Sequence, residues 1–551
     1  NRASLLADLQ KLLQRLEADL LERSGSADVP DVGMALRAEH DRAKSAERTA
    51  QNYEDWRSDA ITQAAVAWVL SCVFVRFLED NRLIDPPKIA GPGERLQRAR
   101  DEWELYLGQA TEPNERDYLL TIFDELARLP GTTDLFGEHN PIRELPNWLS
   151  GDGAKLLLDF FQKIDANTGT LIHDFQSSRH APRDDSRMSR DSERGTTSGS
   201  SHAIGFPHAE REGYFEDTRF LGDLYQDLSE AARKKYALLQ TPEFVEEFIL
   251  ERTLEPALDE FGLVVTASAS DPQPSTLDPQ PFKMIDPACG SGHFLLGSFR
   301  RILERWQRRE PGTNVRELVQ RTLDSVHGVD VNPFAIAIAR FRLLLAAMRA
   351  CGIERLADAP AFRLNLVCGD SLLHAPLAAG GKKYTAGQQE LDFALASDPA
   401  DSDECDHAYR SENLPELKRL LRGGQYHAVV ANPPYITPKD RQLNERYRRR
   451  FLSCHMKYSL SVPFLERIFR LAVAGGYTGQ ITANSFMKRE FGKKLIEAFF
   501  PSVDLTHVID TSGAYIPGHG TPTVILFGRH RAPMASTLRT VTTSSLCENP
   551  R

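Results

Sequence analysis

At 551 residues the chain is too long for a single hydrophobic core, and its length predicts about three or four domains. Hydrophobic residues at 41% and charged residues at 26% are ordinary for a soluble globular protein. Seven cysteines with no CxxC pair give neither a disulfide framework nor a zinc site, and a net charge of −10 argues against a protein that merely coats nucleic acid.

Residues 1–175 read as a helical amino-terminal domain. Leu5, Leu9, Leu12, Leu16 and Leu20 recur at three- and four-residue steps, which makes one apolar stripe on a helix over residues 1–23. Asp59 to Asp80 reads as a more buried helix with Trp68, Val69, Cys72, Val73 and Phe77 inside. Its longest apolar run, Ala64 to Val75, is about half a bilayer span, so the chain is expected to be cytoplasmic. Tyr118 to Leu129 and Ala154 to Ile164 continue the helical pattern. Residues 176–213, with the Ser-, Arg-, Asp- and Gly-rich segment Ser177 to Ser201 at their centre, read as a flexible linker or insertion.

From residue 214 to 531 the texture changes to alternating strands and helices, the pattern of a mainly parallel sheet with helices on both faces. Thr241-Pro242 starts a helix through about Leu254. Short strands are predicted at Lys283 to Ile285, His327 to Val331, Leu364 to Cys368, Tyr426 to Ala431, Gly479 to Thr482, His507 to Ile509 and Thr523 to Phe527. An acidic stretch, residues 389–413, interrupts them as a surface excursion. The tail, residues 532–551, has no clear closing element, and the expectation is that the natural protein continues into a target recognition domain.

The turn Asp286-Pro287-Ala288-Cys289-Gly290-Ser291-Gly292 follows a strand and opens a helix at His293-Phe294. Glycines there allow close approach to a ligand, although a structural tight turn explains the feature as well. It lacks the Gly-Lys-Ser/Thr of a phosphate loop. Asp330 ends the next strand, where a carboxylate can accept bonds from both ribose hydroxyls. Asp370 ends the strand after that, placed for an adenine amino group. Either aspartate alone reads as a helix cap. Three strand ends in order, each with the right group, point to an adenosine-type ligand.

The strand Tyr426 to Ala431 runs directly into Asn432-Pro433-Pro434-Tyr435. The prolines fix the backbone and remove two amide donors, leaving carbonyl oxygens to face a ligand. The Asn432 amide oxygen and the Pro433 carbonyl can accept both hydrogens of an exocyclic amino group. That draws the amine towards a tetrahedral geometry and stabilises the charge it develops. Tyr435 offers a face for a flipped base.

These segments resemble, in order, the motifs of amino-group DNA methyltransferases of the gamma-ordered class. That resemblance implies a Rossmann-like class I methyltransferase domain, of α/β fold class, preceded by an all-α domain, and S-adenosylmethionine as cofactor. It assigns Thr241 and Pro242 to a helix closing over the methionine part, and Asp286, Pro287, Ala288, Gly290, Gly292 and Phe294 to the methionine end. Asp330 then takes the ribose, Asp370 the adenine, and Asn432, Pro433, Pro434 and Tyr435 the target amine. Residues 458–469 and 475–487 resemble the motifs that shape the target pocket. Trp68 to Phe77 and Thr218 to Asp227 are similar to the PglX-like family of bacteriophage-exclusion (BREX) and phage-growth-limitation defence systems. The implied partners are double-stranded DNA with a flipped adenine, and other defence subunits or phage proteins; no metal is implied.

Lys439, Arg441, Arg446, Arg448, Arg449 and Arg450 are expected to bind DNA phosphates, with a solvated helix face as the alternative. Lys488, Arg489, Lys493 and Lys494 form a second basic candidate. The rival functions are a combined restriction–modification enzyme, glutamine methylation on a protein, and a non-catalytic sensor subunit.

Overall fold

The computed structural model describes residues 2–45, 49, 51–109, 114–129, 132–138, 140–175, 241–262, 281–374, 413–513, 521–535 and 537–542, together with Thr218, Arg219, Leu221, Gly222, Leu224, Tyr225 and Leu228. The expected linker at 176–213, all of the excursion at 389–413 except Asn413, and the end of the tail lie outside the described residues.

The helices of the first region begin where polar caps allow. Asn52 starts helix Tyr53–Asp80 by accepting the Asp55 amide at 2.9 Å, and Asn114 and Ser150 do the same for Glu115–Ala127 and Gly151–Phe161. These caps place each start several residues before the first apolar position, earlier than periodicity alone indicated. Pro30–Ser45 and Glu94–Gln109 are further helices, too polar overall for the apolar pattern to reveal. Tyr53–Asp80 is long and apolar enough to cross a membrane, yet 83% of its most apolar window is buried inside the protein.

Among the described residues eight strands form one sheet: β1 Met284–Asp286, β2 Val326–Asp330, β3 Asn365–Cys368, β4 Tyr426–Ala431, β5 Ala472–Ala483, β6 Asp504–Asp510, β7 Thr523–Arg529 and β8 Arg539–Thr542. Their order is β3-β2-β1-β4-β5-β7-β6-β8. The pairs from β3 to β5 are parallel, whereas β7 is antiparallel to both β5 and β6. This is the expected Rossmann-like, mainly parallel α/β sheet, preceded by helices. Successive strand residues alternate between two apolar clusters: Ala428 and Val430 join one, Val429 and Ala431 the other. Both faces are therefore covered, as a parallel sheet requires.

Three expectations need correction. Helix Glu243–Phe261 does not stop near Leu254 but continues through Pro256. Arg252, whose carbonyl loses its usual partner there, is exposed, and Arg301 and Arg305 of helix His293–Arg309 clamp Glu255 and Asp259 on either side of the proline. Strand β5 begins at Ala472 rather than Gly479, because a register shift opposite Tyr426/Ala428 accommodates Gly475, at φ 76°, and Gly476. The tail does carry a sheet element, since β8 pairs with β6 as an exposed edge strand.

The helical region and the sheet region share one apolar cluster that runs from Leu9 to Phe527. Phe74 and Phe77 meet Phe341 of helix Pro333–Ala350 at ring separations of 5.2 and 5.7 Å, and Leu83 accepts the Leu356 amide at 2.8 Å.

Candidate functional site

The sheet order reverses between β1 and β4, so a crevice opens at their carboxyl ends, the place where open α/β sheets bind ligands. Asp286, Asp330, Asp370 and Asn432 stand at or just beyond the ends of β1, β2, β3 and β4. The fold thus brings the four sequence segments to one edge.

At β1, the Asp286 carboxylate accepts the Ala288 amide at 2.9 Å and is buried, which raises its pKa well above the ordinary carboxylate range. The loop turns through Gly290 at φ 53° and Gly292 at φ 83°. A Cβ on Gly292 would meet the Ala339 Cβ at 3.1 Å, so that glycine serves helix packing. A Cβ on Gly290 would meet nothing within 4 Å, so this glycine faces open space. Phe294 is 2% exposed and belongs to the core, so any contact it makes with a ligand comes from beneath the loop.

Asp330 is half-buried. Its two oxygens accept the Gly290 and Asn332 amides, each at 2.8 Å, and burial pushes its pKa up to about 6. The acid expected to hold a ribose therefore also fixes the glycine loop. Asp370 accepts the Leu372 amide at 2.8 Å and the Tyr447 hydroxyl. Its pKa is raised by burial, against the lowering effect of Tyr447 and of the nearby Arg450 charge. Ser371 beside it donates to the Pro287 carbonyl at 2.6 Å, tying the ends of β3 and β1 together.

At β4, the Asn432 amide nitrogen donates to the Thr241 hydroxyl at 3.2 Å, and its oxygen accepts the Tyr435 hydroxyl at 2.9 Å. The carboxamide is thereby fixed with its acceptor on the Tyr435 side, and an amide oxygen can accept two bonds. Burial raises the Tyr435 phenol far above its ordinary range, so Tyr435 stays a neutral donor. Pro433 is buried and Pro434 half-buried. Thr241 is buried and Pro242 caps helix Glu243–Phe261. The expected cofactor threonine thus touches the expected catalytic asparagine.

The basic segment divides. Helix Arg441–Arg450 buries Leu443, Tyr447 and Arg450 and exposes Arg441 and Arg449. Arg450 is 1% exposed and donates to the Arg446 carbonyl, so it cannot reach a phosphate; the expectation that it contacts DNA is corrected. Arg448 is half-buried, donating to Asn444 at 3.0 Å and to the Met456 carbonyl over the Tyr458 ring. Lys439 is exposed, as are Lys488, Arg489, Lys493 and Lys494 of the second candidate.

Sequence reasoning missed several groups behind the site. Arg219 donates to the Thr241 carbonyl at 2.6 Å. Arg342 donates to the Ser291 carbonyl at 2.7 Å, and Tyr225 and Asn332 pair through their side chains at 3.1 Å. The one legible signal was Asn332 before a proline, the pattern of a helix cap; the long-range pairings had none.

Residues 324–516 match the family described as Eco57I restriction-modification methylase. The chain is 46% identical, over 98% of its length, to the adenine-specific methyltransferase PglX of Streptomyces coelicolor, of which it spans 41%. It is 24% identical to the adenine-specific methyltransferase BrxX of Escherichia coli O9:H4, covering 43% of this chain and 24% of that protein. Among solved structures, a complex of DrdV with DNA aligns with 98% of this chain and 42% of its own, at 11% identity and a TM-score of 0.48.

Proposed function

We propose that this chain, 46% identical over 98% of its length to the adenine-specific methyltransferase PglX, is a methyltransferase of the same kind, which transfers a methyl group from S-adenosylmethionine to the 6-amino group of adenine in DNA, as part of self-marking in phage defence. The observation that carries the reading is the convergence of Asp286, Asp330, Asp370 and Asn432 on one sheet edge at the strand-order reversal.

The residues fit the cofactor. The open space over Gly290 allows a ligand to lie against the backbone, and acids end the two strands beside it. Asp330 would accept the ribose hydroxyls, and Asp370, with Tyr447 on its other oxygen, the adenine amino group. The main chain of 286–292 would hold the methionine end, with Thr241 and Pro242 closing over it. Bound there, the cofactor supplies an electrophilic methyl group.

The remaining chemistry belongs to the chain. An exocyclic amine is a weak nucleophile because its lone pair is delocalised into the ring. Asn432, held by Thr241 and Tyr435, would present its oxygen to one amine hydrogen while the Pro433 carbonyl takes the other. These acceptors are in place before reaction, so they stabilise the positive charge on nitrogen without reorganising. The Tyr435 ring would bear the base once it has left the duplex, since an amine inside the stack is out of reach. Exposed Lys439, Arg441 and Arg449 would carry phosphate contacts, with Arg448 at their margin.

Because the chain spans less than half of PglX, the sequence recognised on DNA and the partner proteins belong to the whole protein. Sequencing modified bases in cells carrying the complete system tests the reading. 6-Methyladenine at one motif should vanish with Asn432→Ala, and its persistence would end the proposal.

A further inference from the structure

Between the helical region and Thr241, the described residues of 218–228 are helical, and Thr218, Leu221, Leu224, Tyr225 and Leu228 are each at most 3% exposed. Burial of the leucines explains why the segment docks. It does not explain why three polar groups of the same segment, Thr218, Arg219 and Tyr225, each lead, directly or through one partner, to a different part of the site.

Arg219 donates to the Thr241 carbonyl at 2.6 Å, and the Thr241 hydroxyl accepts Asn432 at 3.2 Å, so Arg219 is one residue removed from the amide that faces the target amine. Arg219 also lies 3.9 Å from the buried Glu246, which sits over Gly297 of the helix following the glycine loop. Tyr225 pairs with the Asn332 side chain at 3.1 and 3.3 Å. The Asn332 amide donates to Asp330, and Asp330 accepts Gly290. Arg342 is buried, donating at 3.4 Å to the Thr218 hydroxyl and at 2.7 Å to the Ser291 carbonyl. Described residues of this one segment therefore lead to the loop after β2 directly, to the loop after β1 through Arg342, and to Thr241, which fixes the residue after β4.

Methyl transfer needs donor and acceptor held in line within a few tenths of an ångström, and the ties from Thr218, Arg219 and Tyr225 add to those that the loops make with one another and through the sheet beneath them. We infer that Thr218, Arg219 and Tyr225 form a positioning strut: Arg219 sets the proposed catalytic amide through Thr241, and Tyr225 sets the proposed cofactor acid Asp330 through Asn332. The inference rests on the proposed methyl transfer, but the two ties act on different steps. Losing the Tyr225 hydroxyl loosens Asp330 and weakens cofactor binding. Losing Arg219 releases Thr241 and Asn432 and slows transfer from a filled site.

The test compares Tyr225→Phe, Arg219→Ala, Arg219→Lys and Leu221→Val in the full-length protein. Leu221→Val thins the packing and leaves every polar tie, so it reports what a purely structural role would do. Tyr225→Phe should raise the Kd for S-adenosylmethionine by about tenfold, the worth of one buried hydrogen bond, with kcat at saturating cofactor within about twofold. Arg219→Ala should lower kcat by about tenfold to 10²-fold with Kd within about twofold, and Arg219→Lys, which still carries a cation and a donor, should restore much of it. Amide hydrogen exchange without cofactor is read in parallel. Tyr225→Phe should speed exchange at Gly290 and Asn332, while Leu221→Val leaves those two amides as in the unaltered protein. If the unaltered protein neither binds the cofactor nor methylates DNA, the functional proposal falls, and the exchange pattern still decides whether the strut exists. If Tyr225→Phe, Arg219→Ala and Leu221→Val shift Kd and kcat in the same proportion, with no selective exchange at Gly290 and Asn332, the strut is overturned.

Discussion

Two regions of this molecule bury carboxylates, and they use them differently. In the helical region Arg76, Glu79 and Asp80 lie together at 1% exposure or less. Glu79 accepts the Lys88, Ile89 and Ala90 amides as well as Arg76, and Asp80 accepts Arg76 and the Phe175 amide. Every partner there is protein, and the cluster ties residues 88–90 and 175 to one helix. At the sheet edge, Asp286 and Asp330 take only neighbouring backbone amides and stand beside the open space over Gly290. Buried charge by itself therefore marks nothing; a buried or half-buried acid next to open space at a strand-order reversal marks a site.

The comparison can be broken in four ways, taken from the largest expected effect to the smallest. Asn432→Ala should cut methylation by about 10²–10³-fold or more while the melting temperature stays close to that of the unaltered protein, because in the proposed mechanism its acceptor acts on the reacting amine. A large loss of stability would mean that Asn432 belongs with the structural cluster. Glu79→Ala should do the reverse. It strips three amides and an arginine of their partner in a buried place, and should cost about 3–5 kcal/mol in denaturant unfolding with cofactor affinity kept in the folded fraction.

Asp330 provides the third test. Its pKa of about 6 lies above the ordinary 3.8, so folding takes up a proton between those values, and the residue's contribution to stability falls as pH rises through that window. The proposed ribose contact runs the other way: the ionised carboxylate is the stronger acceptor for hydroxyls, and it prevails only above about 6. Calorimetric affinity for the cofactor should fall as pH drops through 6, and Asp330→Asn should bind weakly with that pH step removed. A step that survives the substitution would assign it elsewhere. The smallest effect concerns the two sides of helix Arg441–Arg450. Arg449→Ala and Arg441→Ala should each reduce the salt dependence of DNA binding by a slope of about 0.9, one phosphate contact apiece. Arg450→Ala should leave that slope unchanged and lower stability instead, since Arg450 is buried beside Asp370.

How much of this was legible before folding follows from range. Strand β4 and its tetrapeptide were readable because six consecutive residues, Tyr426 to Ala431, are buried on both sides and stop at Asn-Pro. The same holds for β1 to β3, short apolar runs ended by acids. Residues 324–516, the stretch with the family match, hold three of the four strand ends that build the site, Asp330, Asp370 and Asn432, and Asp286 precedes it, legible from its strand and turn. Polar starts were harder. Helix Tyr53–Asp80 begins six residues before Asp59, since its first turns are fixed by Asn52 rather than by apolar spacing. Pro256 looked like a helix end and is not, because acids on either side of it are held from the neighbouring helix.

The sequence by itself determined which residues stand at the strand ends, because strand length, apolar run and turn chemistry are local properties of the chain. The expectation of an adenosine-type ligand and an amine also came from that local chemistry. Only the tertiary structure decided that Arg450 and Phe294 turn inward, that Tyr447 meets Asp370, and that Thr241 meets Asn432 across 191 positions of chain. The reason is physical: a side chain's exposure and partner are set by whatever packs against it. For these residues the packing elements come from distant segments, whose approach no local pattern encodes.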